Sequence, residues 1–159
     1  MVIRLAENGD LSGWVQLVEP MRHLFPGLET PESMEGYTQD IAGAISRQEA
    51  LCAVESGTIC GVLAFSRTEN ELAFLAVSAQ HRRQGIARKL AERMFRELDP
   101  SRPVKLITYR AGVPEEEAAR SLYQRLGFCP GRLVEVDGSP AQEFLRPAEI
   151  PGSERSEAE

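Results

Sequence analysis

The sequence predicts one α/β domain in which helices pack against a mixed β-sheet. Its length of 159 residues is enough for a single domain with a sizeable buried core. A hydrophobic content of 42% and a charged content of 26% are typical of a globular protein. Apolar residues at helical spacing alternate with short apolar runs bounded by turn residues, which gives the order β-α-α-β-β-β-α-β-α-β-β. This order is typical of an α/β sandwich.

The first half of the chain is predicted to hold one strand, two helices and a three-strand meander. Residues 2–6 form the strand, and Asp10 caps a helix that runs to about residue 24, with a kink or break at Pro20. Thr30 and Pro31 suit the N-cap and first position of a second helix that ends near residue 47. The meander strands span residues 50–55, 58–67 and 71–78.

The second half is predicted to hold two helices, one strand between them and a final hairpin. The first helix spans about residues 85–98, where apolar side chains recur at four-residue steps. A strand follows at 104–109, and the second helix runs from 115 to 126, with Gly127 just past its end. Residues 128–136 and 141–146 form the hairpin. The domain therefore covers residues 1–146, and the acidic segment 147–159 is predicted to be disordered.

Charge and cysteine content narrow the classes of protein to which the chain can belong. A net charge of −6 argues against a nucleic-acid-binding surface. No apolar run approaches the roughly 18 residues that span a membrane, and no signal peptide is visible, so we expect a cytoplasmic protein without a membrane partner. The three cysteines lack metal-ligand spacing and are expected to be buried free thiols, so we expect no metal. The sequence leaves open whether the protein is a monomer or a homodimer.

A basic turn follows the apolar run 72–77 and leads into a helix. Gly85 and Ala87 lie at the start of that helix, where small side chains let a ligand approach the main chain. The free N–H groups of a helix start bind phosphate, and Arg82, Arg83 and Arg88 add positive charge beside them. Solvated surface arginines are the alternative, but cations at a helix N-terminus oppose the helix dipole. The glycine spacing excludes a P-loop and a Rossmann turn, so we expect a different polyphosphate-bearing cofactor.

Two motifs in this order resemble those of one enzyme family. Arg82, Gly85 and Ala87 are similar to the acyl-CoA signature of the GNAT N-acetyltransferases, which is Gln or Arg, two residues, Gly, one residue, then Gly or Ala. The segment 118–128 resembles the family's helix that ends in Leu-Tyr, two residues, then Leu-Gly-Phe. The resemblance covers roughly residues 2–146 and implies a mixed, mostly antiparallel central sheet flanked by helices.

The resemblance implies that acetyl-CoA is the co-substrate and that its acetyl group passes directly to a primary amine. The acceptor would be a small molecule or a peptide or protein amine. The residues implied to bind the cofactor lie on the last strand of the meander and on the basic turn, and they are Leu75, Ala76, Val77, Arg82, Arg83, Gln84, Gly85, Ile86, Ala87 and Arg88.

Acetyl transfer to an amine requires two proton movements. An alkyl amine with a pKa of about 10.4 must lose a proton before it attacks, and the departing thiolate must be protonated or stabilised. The resemblance implies that Tyr123 is the acid beside the CoA sulfur, although its spacing on a helix also suits a core tyrosine. It implies that Glu71 is the base, and an exposed carboxylate beside a turn is the alternative.

The chain also departs from the family pattern. Many relatives place an acid on the strand after the CoA helix, where this chain has Thr108, and an asparagine near the start of the following helix, where it has residues 114–117. These departures keep an alternative open, in which the chain is an acyl-CoA-binding regulatory or interaction module without transferase activity. Candidates for lining the acceptor pocket lie in the first two helices and their connection, and they are Trp14, His23, Phe25, Glu29 and Tyr37.

Overall fold

A computed structural model describes residues 1–25, 28, 30–109, 114–136 and 138–149, in which strands and helices follow the predicted order. The strands are β1 (Val2–Leu5), β2 (Ala50–Glu55), β3 (Thr58–Ser66), β4 (Glu71–Val77), β5 (Val104–Tyr109), β6 (Cys129–Val136) and β7 (Ser139–Arg146). The helices are α1 (Leu11–Val18), α2 (Pro31–Ser46), α3 (Ile86–Glu97) and α4 (Pro114–Arg125). Disorder was predicted for residues 147–159, and the part of this segment beyond Glu149 lies outside the described residues.

The seven strands form one sheet in the order β1-β2-β3-β4-β5-β7-β6. The pairs β1–β2, β2–β3, β5–β7 and β6–β7 are antiparallel, whereas β4 and β5 run parallel with Glu71 opposite Lys105. The prediction of a mixed, mostly antiparallel sheet is therefore confirmed. Strand β7 starts two residues earlier than predicted, because the turn before it is shorter than the predicted four residues.

The chain divides into two compact units. The first unit comprises Met1–Phe65 and Ala73–Met94, and the second comprises Ser66–Leu72 and Phe95–Glu159, so β4 contributes to both. In the first unit, the apolar faces of α1 and α2 join side chains of β2, β3 and β4 in one core cluster. Its largest fully buried side chain is Trp14.

The helix predicted for residues 10–24 is interrupted. The α-helix ends at Val18, and a 3-10 helix with Pro20 near its start continues to Leu24, in agreement with the expected break. Asp10 occupies the N-cap position of α1 as predicted, but its side chain makes no cap hydrogen bond there, because its carboxylate accepts from the Arg4 guanidinium at 2.7 and 3.0 Å and from the Glu7 N–H. By contrast, Thr30 caps α2 as expected, with its hydroxyl accepting from the Ser33 N–H.

A glycine in β3 sets how closely α3 approaches the sheet. A Cβ atom at Gly61 would lie 2.8 Å from Ile86 Cγ2 and 3.1 Å from Leu90 Cδ1, closer than packed side chains tolerate. Ile86 and Leu90 are both fully buried on the face of α3 that packs here. The missing side chain at Gly61 therefore lets the first turn of α3 lie directly on β3.

The second unit is built around α4 and the β5–β7–β6 strands. Tyr123 of α4 meets the buried rings of Phe128 and Phe144 edge-on, with centroid distances of 6.2 and 6.3 Å. The helix ends as predicted at Gly127, whose φ is +99°. The Phe128 N–H donates to the Tyr123 carbonyl at 3.0 Å, which is the hydrogen bond of a Schellman motif and fixes this end of the helix.

Cys52 and Cys60 are buried free thiols, as expected, whereas Cys129 is free but exposed. Its exposure follows from its place at the start of β6, the edge strand of the sheet. None of the described helices is long and apolar enough to cross a membrane.

Candidate functional site

The connection from β4 to α3 makes a sharp turn in the first unit. A short 3-10 helix spans Ala79–His81, and a hydrogen bond of 2.6 Å joins Ser78 Oγ to His81 Nδ1. Arg83 and Gly85 then have positive φ values of 65° and 77°. Only glycine adopts such values without strain, so Arg83 is held by the turn around it. Turns with left-handed residues can gather successive main-chain N–H groups into an anion-binding concavity.

The start of α3 adds further N–H groups to this connection. The first helical hydrogen bond runs from the Lys89 N–H to the Gly85 carbonyl at 3.0 Å. The N–H groups of Ile86, Ala87 and Arg88 therefore precede the helical ladder and lie at the positive end of the helix dipole. Ile86 as a whole is only 1% exposed, so its side chain is part of the core and is not available to a ligand.

Positive side chains surround these amides. Arg82, Arg83, Arg88 and Lys89 are exposed. Arg82 Nε donates to the Val77 carbonyl at 3.4 Å, and Arg88 pairs with Glu92 one turn along the helix. Within the residues that the structure describes, no hydrogen bond or ion pair engages the Arg83 or Lys89 side chains. Cations that oppose the helix dipole and lack an internal partner are suited to an anionic ligand.

The predicted cofactor residues of the strand lie in the second half of β4. Leu75 and Val77 are half-buried in β4, while Ala76 is 5% exposed and belongs to the core cluster. Gln84 is exposed in the turn and Ala87 is half-buried at the helix start. The first unit thus brings the ten predicted cofactor residues together on one continuous strand, turn and helix start.

Glu71 lies in the second unit among other charged side chains. It is half-buried at the start of β4, and its Cα partner in β5 is Lys105. Burial raises the pKa of Glu71, the positive charge of Lys105 opposes that rise, and the nearby Glu69 and Glu143 carboxylates add to it. Lys105 Nζ is 3.0 Å from Glu69 Oε1, so its ion pair is with Glu69, while its charge also acts on Glu71. A carboxylate with a raised pKa binds a proton more readily near neutral pH, as a general base must.

Tyr123 combines features of a core residue and of an accessible one. Its ring packs against Phe128 and Phe144, but the side chain is half-buried and not sealed from solvent. Thr108, in the position where many relatives carry an acid, is buried on β5. The side chains of residues 114–117 lie outside the described part of the chain.

The predicted acceptor-pocket residues are only partly suitable. Trp14 is 0% exposed and donates its Nε1–H to Tyr37 Oη at 2.8 Å, so its assignment to the pocket is wrong and it is a core residue. Phe25 and Tyr37 remain partly accessible, with their rings 4.7 and 5.0 Å from that of Phe74. His23 is exposed, and Glu29 lies outside the described residues.

Comparisons with known proteins identify the family of the chain. The Acetyltransferase (GNAT) domain family matches residues 27–143. Because the match covers most of the chain, the protein belongs to the GNAT acetyltransferase family, and the family expected from the sequence is confirmed. No protein of curated function matches the sequence.

Solved structures of several N-acetyltransferases share the fold. An N-acetyltransferase from Staphylococcus aureus Mu50 has a TM-score of 0.74 at 16% identity, covering 91% of this chain and 100% of its own. A ribosomal-protein-alanine N-acetyltransferase from Brucella melitensis has a TM-score of 0.72 at 16% identity, and the match covers 92% of this chain and 99% of that protein. The PaiA N-acetyltransferase from Thermoplasma acidophilum, in complex with coenzyme A, has a TM-score of 0.67 at 19% identity, and the match covers 92% of this chain and 98% of that protein. At these identities the likeness establishes the fold.

Proposed function

We propose that this protein is an N-acetyltransferase that moves an acetyl group from acetyl-CoA directly to a primary amine. The observation that carries the proposal is the β4–α3 connection, where two left-handed residues, three amides that precede the helical ladder and two cations without a partner among the described residues occur together. Such a group suits the pyrophosphate of CoA. Family membership and the coenzyme A bound in the Thermoplasma acidophilum structure support the same ligand.

The proposed reaction forms one C–N bond and breaks one C–S bond. Glu71 accepts the proton that the ammonium form of the acceptor must lose, and its partly buried carboxylate is suited to this because its pKa is raised. Tyr123 donates its phenolic proton to the departing CoA thiolate, and the second proton that the nitrogen loses when the amide forms restores the phenol. Leu75, Ala76 and Val77 offer main-chain groups to the pantetheine arm, and residues 82–88 hold the phosphates.

The proposal is tested by the release of the CoA thiol from acetyl-CoA across a panel of small amines and lysine- or N-terminus-bearing peptides. We expect amine-dependent release together with an acetylated product detected by mass spectrometry. Tight CoA binding without any amine-dependent release would favour the CoA-binding module over the enzyme. Absence of CoA binding would contradict both functions.

Gly85→Glu is expected to weaken CoA binding by at least about tenfold, because a carboxylate would stand against the phosphates. A side chain has open space at this position, but the φ of +77° strains any residue with a Cβ. Gly57→Glu is the matched control, since Gly57 has a φ of +79° and open space in the β2–β3 turn. We expect similar losses of thermal stability from both variants, and calorimetry should find weaker CoA binding only for Gly85→Glu. Equal CoA affinities of the two variants would exclude the site.

Lys105→Met is expected to move the acid limb of the kcat/KM profile to higher pH. The charge of Lys105 lowers the pKa of Glu71, so its removal lets that pKa rise, and a larger share of Glu71 is then protonated at neutral pH. Glu69→Gln is the opposing control, because the Glu69 carboxylate raises the same pKa and its loss should move the limb to lower pH. Shifts in the same direction for both variants would contradict Glu71 as the group that titrates.

A further inference from the structure

Asn70 is a fully buried polar residue at the end of the β3–β4 turn. Its side chain is 0% exposed, and its φ of +53° is left-handed, a conformation that asparagine tolerates better than most residues. Its N–H donates to the Arg67 carbonyl at 3.3 Å and closes the turn. Nothing in the sequence pattern distinguishes this residue from an ordinary turn asparagine.

The Asn70 amide joins this turn to the segment between α3 and β5. Its Nδ2 donates to the carbonyls of Asp99, Arg102 and Pro103 at 3.2, 3.3 and 3.1 Å. Its Oδ1 accepts from the Asp99 N–H at 3.0 Å. One side chain therefore contacts four main-chain groups from residues about thirty positions further along the chain, and its two N–H hydrogens are shared among the three carbonyls.

The same residue sets the start of the β4–β5 pairing. The Asn70 carbonyl accepts from the Lys105 N–H at 3.1 Å, and the next residue, Glu71, is the Cα partner of Lys105. The side-chain and main-chain bonds of Asn70 thus act together. They fix the position of the Glu71 main chain relative to that of Lys105.

Asparagine is the residue type that this position requires. Aspartate has the same shape but offers no N–H donors to the three carbonyls, and alanine offers neither donor nor acceptor. Loss of the amide leaves buried main-chain groups without partners, which is more costly than the loss of a solvated hydrogen bond. Glycine suits the positive φ and removes only the amide, so it is the variant that isolates the side chain.

We propose that Asn70 is a positioning residue for acetyl transfer, because it holds the Glu71 carboxylate beside Lys105. The inference rests on the proposed function, in which Glu71 removes the proton of the amine. Asn70 does not touch the reacting atoms. It acts through Glu71 by keeping the start of β4 in register with the start of β5.

The test is a double-mutant cycle of Asn70→Gly and Glu71→Gln, measured at neutral pH with the acetylated amine detected by mass spectrometry. In the otherwise unchanged protein, Asn70→Gly should lower kcat by at least tenfold, leave the KM for acetyl-CoA within threefold and displace the acid limb of the pH profile. In the Glu71→Gln background, Asn70→Gly should cause no further loss of kcat.

Arg102→Ala is the matched control, because Arg102 Nη2 donates to the Thr68 carbonyl at 3.2 Å and links the same two segments from an exposed position. It should leave kcat and the acid limb unchanged. If thermal unfolding finds Asn70→Gly unfolded at the assay temperature, Asn70→Ser replaces it in the same cycle, since serine keeps one donor and one acceptor.

The outcomes separate the two levels of the inference. If Glu71→Gln loses rate but Asn70→Gly costs the same factor in both backgrounds, Asn70 has a general structural role and the positioning role is overturned, while Glu71 stands as the base. If Glu71→Gln loses no rate, Glu71 is not the base and the role of Asn70 through it falls as well. Coupled losses together with the displaced acid limb support the proposal.

Discussion

Replacing Tyr123 by phenylalanine is expected to lower turnover by about 10²–10⁴-fold, the usual range for loss of a general acid. Phenylalanine keeps the ring that packs against Phe128 and Phe144, so thermal stability should change little. The affinity for CoA should also be nearly unchanged, because the hydroxyl matters when the C–S bond breaks. The measurements are steady-state kinetics on a substrate whose chemistry limits the rate, and calorimetry with CoA.

Ser121→Ala is the control for this variant, since it removes a hydroxyl from the same helix, where the Ser121 hydroxyl accepts from Arg125 Nη1 at 2.7 Å. Ser121→Ala should leave turnover unchanged. Unaltered turnover in Tyr123→Phe would mean that Tyr123 is a packing residue, which is the alternative that its helical spacing already allowed.

Glu71→Gln is expected to lower turnover at neutral pH by about 10²–10⁴-fold and to recover part of the loss as pH rises. Glutamine keeps the size and hydrogen bonding of the side chain but cannot accept the ammonium proton. At about pH 9.5, near the amine pKa of about 10.4, much more of the acceptor is already deprotonated, so the missing base matters less. The measurement is the pH dependence of kcat/KM for both proteins.

Glu135→Gln on the exposed face of β6 serves as the control, because it removes an equal charge from the surface of the same unit. It should not change the profile. A deficit in Glu71→Gln that stays constant from neutral pH to about pH 9.5 would indicate that Glu71 positions the acceptor without removing its proton. No deficit at all would leave water or a group of the acceptor as the base.

Local signals in the sequence were enough to predict much of the fold. Thr30 and Pro31 start α2, and Gly127 ends α4, because caps and left-handed glycines act within a few residues. The turn from β4 into α3 was predictable for the same reason, since Arg82, Gly85 and Ala87 lie within six consecutive positions. Features that depend on neighbours within five positions are visible in a single sequence.

Other roles depend on partners that spacing alone does not identify. Aspartate is a residue type that often caps helices, but the Asp10 carboxylate pairs with Arg4 of the preceding strand. Tryptophan is a residue type that often lines ligand pockets, but Trp14 is buried in the core of the first unit. Asn70 carries an ordinary turn signal, while its partners come from residues 99–103. No periodicity or motif connects these segments.

Gly61 has a consequence for redesign of the turn that leads from β4 into α3. The distance of the α3 amides from the sheet depends on the absence of a side chain at Gly61. Gly61 and the helix start are therefore structurally coupled, although 24 positions separate Gly61 from Gly85. If the turn and α3 were moved to a scaffold that carries a side chain at the position of Gly61, the helix start would be displaced by tenths of an ångström. Libraries aimed at new acyl donors should therefore keep position 61 fixed and vary the turn alone.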